Sequence, residues 1–368
     1  MSVSIDGTNG LTFSDATTQN TGGYTGFRNR IINGAMMIDQ RNNGASVTPG
    51  AAANTYTLDR WGGYNTQGSK FSVQRNAGGV TPPNGFINYL GVTSLSAYSP
   101  VSTDQFQVSQ NIEGFNVADL GWGTANAQPA TVSFWVRSSI TGSHPLSLIN
   151  NSNNRSYPTT YTVSTANTWE YKTVTIPGDT SGTWLKDNGT GIQLRFAMGY
   201  GSSFVGTANS WNAGNFLAPS GAVQVVGTNG ATWYVTGVQL EKGTVATPFE
   251  FRQYGTELAL CQRYYQSQAI ATLAAARTST TIEFPVQYFT PMRATASVSQ
   301  GSIMTIYDAY GSTFLQTSPS VTGAVTGSTA ITGQVISLNN YSGLTQGRTY
   351  WISNGTFPGA NISFSAEL

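Results

Sequence analysis

Histidine, cysteine and charged residues are scarce in this sequence. Its 368 residues include one histidine and one cysteine, and 9% are charged, against roughly 25% in ordinary soluble domains. The single Cys261 excludes a disulfide within the chain, and one residue of each kind excludes a metal site built from histidine and cysteine. The net charge of +1 provides no field that attracts nucleic acid or an anionic membrane surface, so we expect neither partner.

Long apolar runs are also missing. No stretch of about 18 apolar residues occurs, and the opening MSVSIDGTNG has neither a basic segment nor an apolar one. We therefore expect no membrane insertion, and we expect synthesis in a cytoplasm without passage through the secretory route.

Few groups in the sequence could support nucleophilic catalysis, because the chain contains one histidine and one cysteine. The one histidine, His144, lies in the Gly-, Ser- and Pro-containing segment SSITGSHPLS, which predicts a solvated turn residue rather than a catalytic base. No phosphate-binding or dinucleotide-binding motif occurs. The sequence therefore predicts a protein that is not an enzyme.

Paired carboxylates, which a glycosidase needs about 5–9 Å apart, are not evident among the 16 acidic residues. Glu170, Asp179 and Asp187 lie close together along the chain, but Asp179 and Asp187 sit in the turn-like segments PGDTSG and KDNGTG. Turn formation is the favoured interpretation of both residues. Calcium could bind the same oxygens, so a structural calcium ion stays open while no other cofactor is expected.

Aromatic residues and glycine are abundant. The chain holds 17 Phe, 18 Tyr, 8 Trp and 42 Gly, which is not the composition of a disordered protein. It is typical of many short strands joined by glycine- and asparagine-rich turns. The surface of such a protein is polar through hydroxyls and amides rather than through ions.

Apolar and polar residues alternate in several segments, as they do in strands with one buried face. The clearest alternation covers Gln105–Ile112, Thr131–Arg137 and Ile192–Met198, and two further strands are predicted at Trp169–Ile176 and Thr232–Leu240. No helices occur between them, as a parallel α/β sheet would require. The fold class is therefore all-β, and the spacing indicates a sandwich or jelly roll.

Three regions follow from these patterns. Residues 1–26 form a short polar segment, with a small strand or hairpin predicted at Leu11–Phe13. We expect this segment to pair with other copies or to dock to another protein, because it cannot bury a core alone. Residues 27–252 form the central sandwich. Residues 253–368 begin with a helix at Gly255–Gln266, capped by Thr256, and continue as a smaller β domain that ends in a strand at Asn361–Leu368.

Several segments together resemble a widespread group of bacteriophage tail-fibre proteins. They occur in order through residues 5–265: IDGTNGLTFSDATTQN, NRIINGAMMIDQRN, YTLDRW, QNIEG, TVSFWVRSS, NTWEYKTVTIPGDTSGTW, TGVQLEKGTVATPFEFR and ELALCQRYY. The block from about residue 30 to 252 is also similar to the jelly roll of carbohydrate-binding modules. The C-terminal segments MRATASVS and FSAEL are similar to the ends of related phage proteins.

This resemblance implies a virion protein of the phage tail that contacts the host surface as a homotrimer. Residues 1–26 would attach it to other tail or baseplate proteins, and the distal domains would bind a bacterial surface glycan or another receptor. Two alternatives remain at this point: a structural tail or capsid-decoration protein without a receptor, and a tailspike that degrades polysaccharide.

Candidate sugar-binding residues lie on the polar phase of the predicted strands. Sugar rings stack on aromatic faces, while amides and guanidinium groups fix their orientation. We predict ligand contact for Trp135, Arg137, Gln193 and Arg195, which share a face if their two strands share a sheet. The alternative for Trp135 is packing against a second sheet, a loop or a neighbouring subunit.

The remaining tryptophans divide into two groups. Trp184 and Trp211 lie in turn-rich segments and could line a site at the edge of the loops. We predict core or turn-packing positions for the others: Trp61, Trp122, Trp169 and Trp233.

Oligomerisation is favoured by the low charge. Charged residues on edge strands usually protect an open sheet from pairing with other chains. A closed symmetric assembly covers such edges and adds avidity for weak surface ligands, which agrees with the trimer that the resemblance implies.

Overall fold

The computed structural model describes residues 4–6, 10–12, 18–19, 27–52, 54–324, 331–353 and 361–368. Near the N-terminus, β1 (Ser4–Asp6), β2 (Gly10–Thr12) and β3 (Thr18–Gln19) form a small antiparallel sheet. The predicted strand Leu11–Phe13 overlaps β2, while Phe13 lies outside the described residues. The attachment role of residues 1–26 stays a prediction.

Two antiparallel sheets then form a jelly-roll sandwich. Their strands are β4 (Thr55–Leu58), β5 (Trp61–Asn65), β6 (Phe71–Arg75), β7 (Leu90–Ser94), β8 (Gln105–Glu113), β9 (Ala130–Ser138), β10 (Gly142–Ile149), β11 (Ser156–Val163), β12 (Glu170–Ile176), β13 (Thr190–Tyr200) and β14 (Thr232–Lys242). The six-stranded sheet has the order β11-β10-β13-β8-β5-β4, and the five-stranded sheet has the order β12-β9-β14-β7-β6. Short 3-10 helices occur at Ala77–Gly79, Gly114–Asn116, Ala118–Leu120, Ser202–Phe204 and Val225–Gly227.

The core lies between the two sheets because each long strand directs its apolar phase inward. Trp61 and Phe196 come from the six-stranded sheet, and Phe134 and Trp233 come from the five-stranded sheet, all fully buried. The rings interlock: the Phe134 and Phe196 centroids lie 5.2 Å apart, and those of Phe196 and Trp233 lie 5.0 Å apart. The all-β prediction and the alternation that led to it are confirmed.

Tryptophan positions agree with the predicted packing roles. Trp61, Trp122 and Trp233 are buried in the core of the sandwich. Trp169 lies just before β12 rather than within it, half-buried, with its ring centroid 5.6 Å from that of Tyr89.

The prediction for His144 is wrong, since the residue lies in β10 rather than in a solvated turn. Its side chain is 1% exposed, its ring stacks on Tyr161 at 5.7 Å, and its Nε2 lies 2.8 Å from the carbonyl oxygen of Ile140. Pro145 has a strand neighbour on one side only, because β10 pairs with β11 along its length but with β13 only from Leu146 onward. The strand therefore tolerates a proline, which has no backbone N–H to donate on the unpaired side.

The single α-helix of the described residues, α1 (Tyr254–Gln262), is shorter than predicted. Tyr265 and Gln266, which the sequence assigned to the helix, begin the next strand. The predicted cap is also wrong, because the N-cap residue is Gln253 and no side chain caps the helix. Cys261, within the helix, and Tyr264, just after it, are buried.

The C-terminal part is again built from strands. They are β15 (Tyr265–Ala269), β16 (Thr272–Ala276), β17 (Ile282–Gln287), β18 (Ser297–Gln300), β19 (Thr305–Tyr307), β20 (Thr313–Leu315), β21 (Val321–Ala324), β22 (Gly333–Leu338), β23 (Thr349–Ser353) and β24 (Asn361–Ser365). They form a three-stranded sheet, β15-β24-β18, and a seven-stranded sheet, β20-β19-β23-β16-β17-β22-β21. Ile362 and Phe364 of β24 are buried, as the predicted final strand requires.

Charged contacts join this part to the sandwich. The buried Glu113 carboxylate, at the end of β8, accepts hydrogen bonds from Arg263 Nη2 (2.6 Å) and from the Tyr264 hydroxyl (2.6 Å). Glu367 forms ion pairs with Arg60 and Arg41 of the sandwich. No helix in the described part of the chain is long and apolar enough to span a membrane.

Candidate functional site

The predicted binding residues do not come together on one face. Trp135 and Arg137 lie on β9 of the five-stranded sheet, whereas Gln193 and Arg195 lie on β13 of the six-stranded sheet. Since the apolar phases of both strands fill the shared core, these four side chains point to opposite outer surfaces of the sandwich. The condition that the two strands share a sheet is therefore not met.

Gln193 and Arg195 form part of an open cavity of about 340 Å³ on the outer surface of the six-stranded sheet. We call it the amide cleft because most of its lining side chains are carboxamides. Strand residues in the lining are Tyr64, Gln105, Gln107, Asn111, Thr190, Gln193 and Arg195. Residues outside the strands complete it: Asn54, Asn150, Asn151, Asn153, Asn215 and Leu368.

Strand register and two loops place the groups around Arg195. Arg195 lies opposite Ser109 of β8 on one side and opposite Ser147 of β10 on the other, and both serines are buried. The loops that follow β10 and β13 bring Asn153 and Asn215 into the lining of the cleft, where both contact the Arg195 guanidinium group.

Arg195 is held by amide oxygens. Its Nη1 donates to Asn215 Oδ1 (2.6 Å), its Nη2 donates to Asn153 Oδ1 (2.7 Å), and its Nε donates to Gln193 Oε1. The residue is 5% exposed. Burial lowers the pKa of Arg195 to about 9, so the guanidinium group remains charged at neutral pH.

Other polar groups of the cleft are free to bind a ligand. The side chains of Asn54, Tyr64, Gln105 and Asn151 make no hydrogen bond to another described residue. By contrast, Asn111 Nδ2 donates to the carbonyl oxygen of Leu368 at 2.7 Å and thereby fixes one wall. The cleft therefore combines a fixed charged floor with uncommitted donors and acceptors.

Trp135 belongs to a second, shallower surface on the opposite side. We call it the aromatic surface. It borders an open cavity of about 430 Å³, and its aromatic residues are Phe86, Trp135, Tyr171, Phe249 and Phe251. Trp135 is half-buried, directly opposite Tyr171 in the β9–β12 register, with the ring centroids 5.5 Å apart.

Arg137 is not in the lining of the aromatic surface. Its Nε donates to the carbonyl oxygen of Asn167 at 3.0 Å, and its guanidinium carbon lies 5.5 Å from the centroid of the Tyr234 ring. These contacts hold the side chain against its own sheet.

Trp184 and Trp211 form an aromatic cluster rather than an open loop edge. Their centroids lie 5.3 Å apart, and both rings pack edge-on against Trp122, at 4.8 and 5.2 Å. Trp184 is 7% exposed, so the prediction that it lines an open site is corrected. Trp211 is partly buried, and its Nε1 donates to the carbonyl oxygen of Pro177 at 2.9 Å.

The three acids considered for catalysis or calcium binding have separate partners. Asp179 forms a two-bond ion pair with Arg155, at 2.9 and 2.6 Å. Glu170 pairs with Lys172 at 2.6 Å, and Asp187 accepts the backbone N–H of Gly189 at 2.8 Å. No group of three or more His, Cys, Asp or Glu side chains that could hold a metal ion occurs in the residues that the structure describes, so a calcium ion stays a prediction without an identified site.

Sequence reasoning found two of the cleft residues and missed the others. The signal for Gln105, Gln107 and Asn111 was present, because amides occupy the polar phase of β8 where charged residues are more usual. Asn153 and Asn215 gave no signal, since one lies 42 residues before Arg195 and the other 20 residues after it, each in a loop.

No family model matches this chain, and no curated protein matches it. Several solved structures show a distant similarity. One is the enzymatically active domain of tailspike protein 4 of bacteriophage CBA120, with 10% identity, a TM-score of 0.29 and coverage of 56% of this chain and 22% of that chain.

Carbohydrate-binding modules are also among the similar structures. TmCBM61 in complex with β-1,4-galactotriose has 10% identity and a TM-score of 0.30, covering 59% of this chain and 100% of that chain. A family 11 module from Clostridium thermocellum in complex with a mixed-linked tetrasaccharide has 15% identity and a TM-score of 0.26, covering 55% and 98%. Similarities this low carry no conclusion about this chain.

Proposed function

We propose that this protein binds a glycan on a bacterial surface through the amide cleft, as a non-catalytic part of a phage tail. The observation that carries the proposal is the composition of the cleft. Sugar hydroxyls both donate and accept hydrogen bonds, and carboxamides do the same through one side chain. An open cavity of about 340 Å³ falls in the size range of small-ligand sites.

Absence of acids in the cleft supports a binding role without hydrolysis. None of the described residues that line it is Asp, Glu, His or Cys. A glycosidase uses two carboxyl groups on either side of the scissile bond, and the carboxylates of Glu113, Asp179 and Glu367 are already engaged with arginines.

The place in a phage tail is supported by the ordered sequence segments through residues 5–265. In that setting residues 1–26 attach the protein to other tail or baseplate proteins, and a homotrimer presents three clefts to one cell, which raises the strength of attachment. Sedimentation of the purified chain tests this: a monomer at micromolar concentration contradicts the trimer.

Glycan binding is tested with an array of bacterial capsule and lipopolysaccharide oligosaccharides. We expect wild-type protein to bind a subset and Asn151→Ala and Gln105→Ala each to weaken that binding about tenfold, as expected for one lost ligand hydrogen bond in a cleft. Both side chains make no hydrogen bond to another described residue, so these variants should fold normally.

Trp135→Ala is the matched variant on the aromatic surface and should leave cleft binding unchanged. Loss of binding in Trp135→Ala but not in the cleft variants would move the site to the aromatic surface. Absence of binding to every glycan and to whole cells would favour the structural tail protein. A decrease in polymer size during incubation would favour the depolymerase.

A further inference from the structure

Arg195 differs from the other deeply buried arginines in having no carboxylate partner. Arg60 pairs with Glu367, and Arg252 pairs with Glu250 and Glu257. The guanidinium group of Arg195 meets amide oxygens from Gln193, Asn153 and Asn215 instead. Among the described residues that line the cleft, the one other ionisable side chain is the Tyr64 phenol, which is not a carboxylate.

A buried charge without an opposite charge is costly. Moving an ion out of water costs several kcal/mol even after the protein relaxes, and amide dipoles offset only part of this. Binding of an anion from outside the chain therefore explains an arginine in this position better than a contribution to folding stability does.

The guanidinium group also has hydrogen-bonding capacity to spare. Its three bonds use three of the five N–H groups of an arginine, one at Nε and one at each terminal nitrogen. One N–H therefore remains on each terminal nitrogen. Two N–H donors on one guanidinium group are what a bidentate oxyanion requires.

Charge in the rest of the cleft agrees with an anionic ligand. Arg195 is the one charged side chain among the described residues that line the cleft, so no acidic side chain there repels an anion. The open cavity of about 340 Å³ around the Arg195 side chain provides the space for such a ligand.

We propose that the amide cleft selects acidic sugars, with the oxyanion of one sugar residue bound to Arg195 and the adjacent hydroxyls bound to the carboxamides. The inference rests on the proposed function and specifies its substrate class. The oxyanion is the carboxylate of a uronic or sialic acid, or a phosphate or sulfate ester on the sugar, since all of these offer two oxygens to a guanidinium group.

Matched pairs of ligands test the proposal. Oligosaccharides of glucuronate, galacturonate and N-acetylneuraminate are titrated calorimetrically against the same oligosaccharides after reduction of the carboxyl groups to alcohols. Sugar phosphates and sulfates are compared with their ester-free forms. We expect the acidic member of at least one pair to bind ten times or more as tightly as its neutral partner.

Variants at Arg195 assign that preference to the residue. Arg195→Gln should bring the acidic member down to the affinity of the neutral one, while Arg195→Lys should keep part of the preference because it keeps the charge. Arg277→Gln removes one positive charge from an exposed side chain of the C-terminal part and should leave the preference unchanged. Thermal unfolding of each variant shows that it is folded.

Each outcome has a defined meaning. A preference that Arg195→Gln removes supports the proposal, and the pairs that show it distinguish carboxylates from phosphate or sulfate esters. Neutral sugars that bind as tightly as acidic ones, or a preference that persists in Arg195→Gln, overturn it while leaving glycan binding intact. If neither member of any pair binds, the preference for acidic sugars is overturned, and the proposed function fails with it only if the glycan array and whole cells also show no binding.

Discussion

Burial of His144 links folding stability to pH. The imidazole lies against the ring of Tyr161 within the six-stranded sheet, and burial lowers its pKa below the usual value of about 6.5. The folded protein therefore holds the neutral form at pH values where the unfolded chain already binds a proton. Since it is the one histidine in the sequence, few other groups titrate in this range.

Lowering the pH from 7.5 to 5.5 should therefore destabilise the protein through His144. The contribution of neutral His144 to the free energy of unfolding is fully present above the unfolded-state pKa of about 6.5. At lower pH this contribution decreases by at most about 1.4 kcal/mol for each pH unit, until the folded-state pKa is reached. Urea unfolding at the two pH values measures this for the wild type and for His144→Gln. The variant should show a smaller decrease, and equal decreases would contradict the assignment to His144.

Residue types in the cleft were partly predictable. Gln193 and Arg195 follow from strand parity, because a polar residue between Ile192, Leu194 and Phe196 has to face away from the core. The alternation of residues predicts which face of its strand a side chain occupies, but not which sheet the strand joins. It therefore could not show that Trp135 lies on the opposite side of the sandwich from Arg195. The position of His144 was hidden by Gly142 and Pro145, which are typical of turns but here occupy the part of β10 that has one partner.

At the scale of elements, two of the sequence segments that resemble phage proteins lie beside each other. The segment NRIING runs along β14: Arg30 N–H donates to the Leu240 carbonyl at 2.8 Å, and Val238 N–H donates to the Gly34 carbonyl at 3.0 Å. A β-bulge between Thr236 and Gln239 interrupts the pairing of β14 with β9 at this point. Gly237 lies in the bulge with a φ of +62°, a conformation that favours glycine.

Gly237→Ala should therefore destabilise the sandwich. The left-handed conformation costs about 1–2 kcal/mol with a side chain present. A Cβ at this position would also lie 2.6 Å from the ring of Phe86, which adds about 1–3 kcal/mol of overpacking. Chemical denaturation measures the sum.

Gly230→Ala is the control for the contact with Phe86. Gly230 has a φ of +73°, and a Cβ at this position would have no atom within 4 Å. The Gly230→Ala variant should therefore lose only the free energy that the left-handed backbone conformation costs. Equal losses for the two variants would mean that the Phe86 contact has no energetic weight.

At the scale of the whole molecule, the last described residues tie the C-terminal part to the sandwich. Glu367 contacts Arg60 and Arg41, and the Leu368 carbonyl accepts a hydrogen bond from the Tyr56 hydroxyl at 2.9 Å. The sequence predicted the strand that leads here but not these contacts. Ion pairs between residues some 300 positions apart leave no local pattern.

Glu367→Ala should lower the free energy of unfolding by about 3–5 kcal/mol, because the 1% exposed Arg60 side chain would then be a buried charge without a partner. Guanidinium unfolding followed by tryptophan fluorescence measures the change. Arg277→Gln breaks an exposed ion pair with Glu283 and should change stability by roughly 0–1 kcal/mol. Similar losses in the two variants would contradict a special role for Arg60.

Only 9% of the residues are charged, and several of the carboxylates are paired with arginines inside the structure, namely Glu113, Asp179 and Glu367. Few ionic groups therefore lie on the protein surface. Repulsion between like-charged particles then contributes little to keeping copies of the protein apart, and hydrated hydroxyls and amides must serve as the colloidal barrier. Such a surface is retained weakly by both anion and cation exchangers. It also behaves alike in fresh and in saline water, because there is little surface potential for dissolved ions to screen.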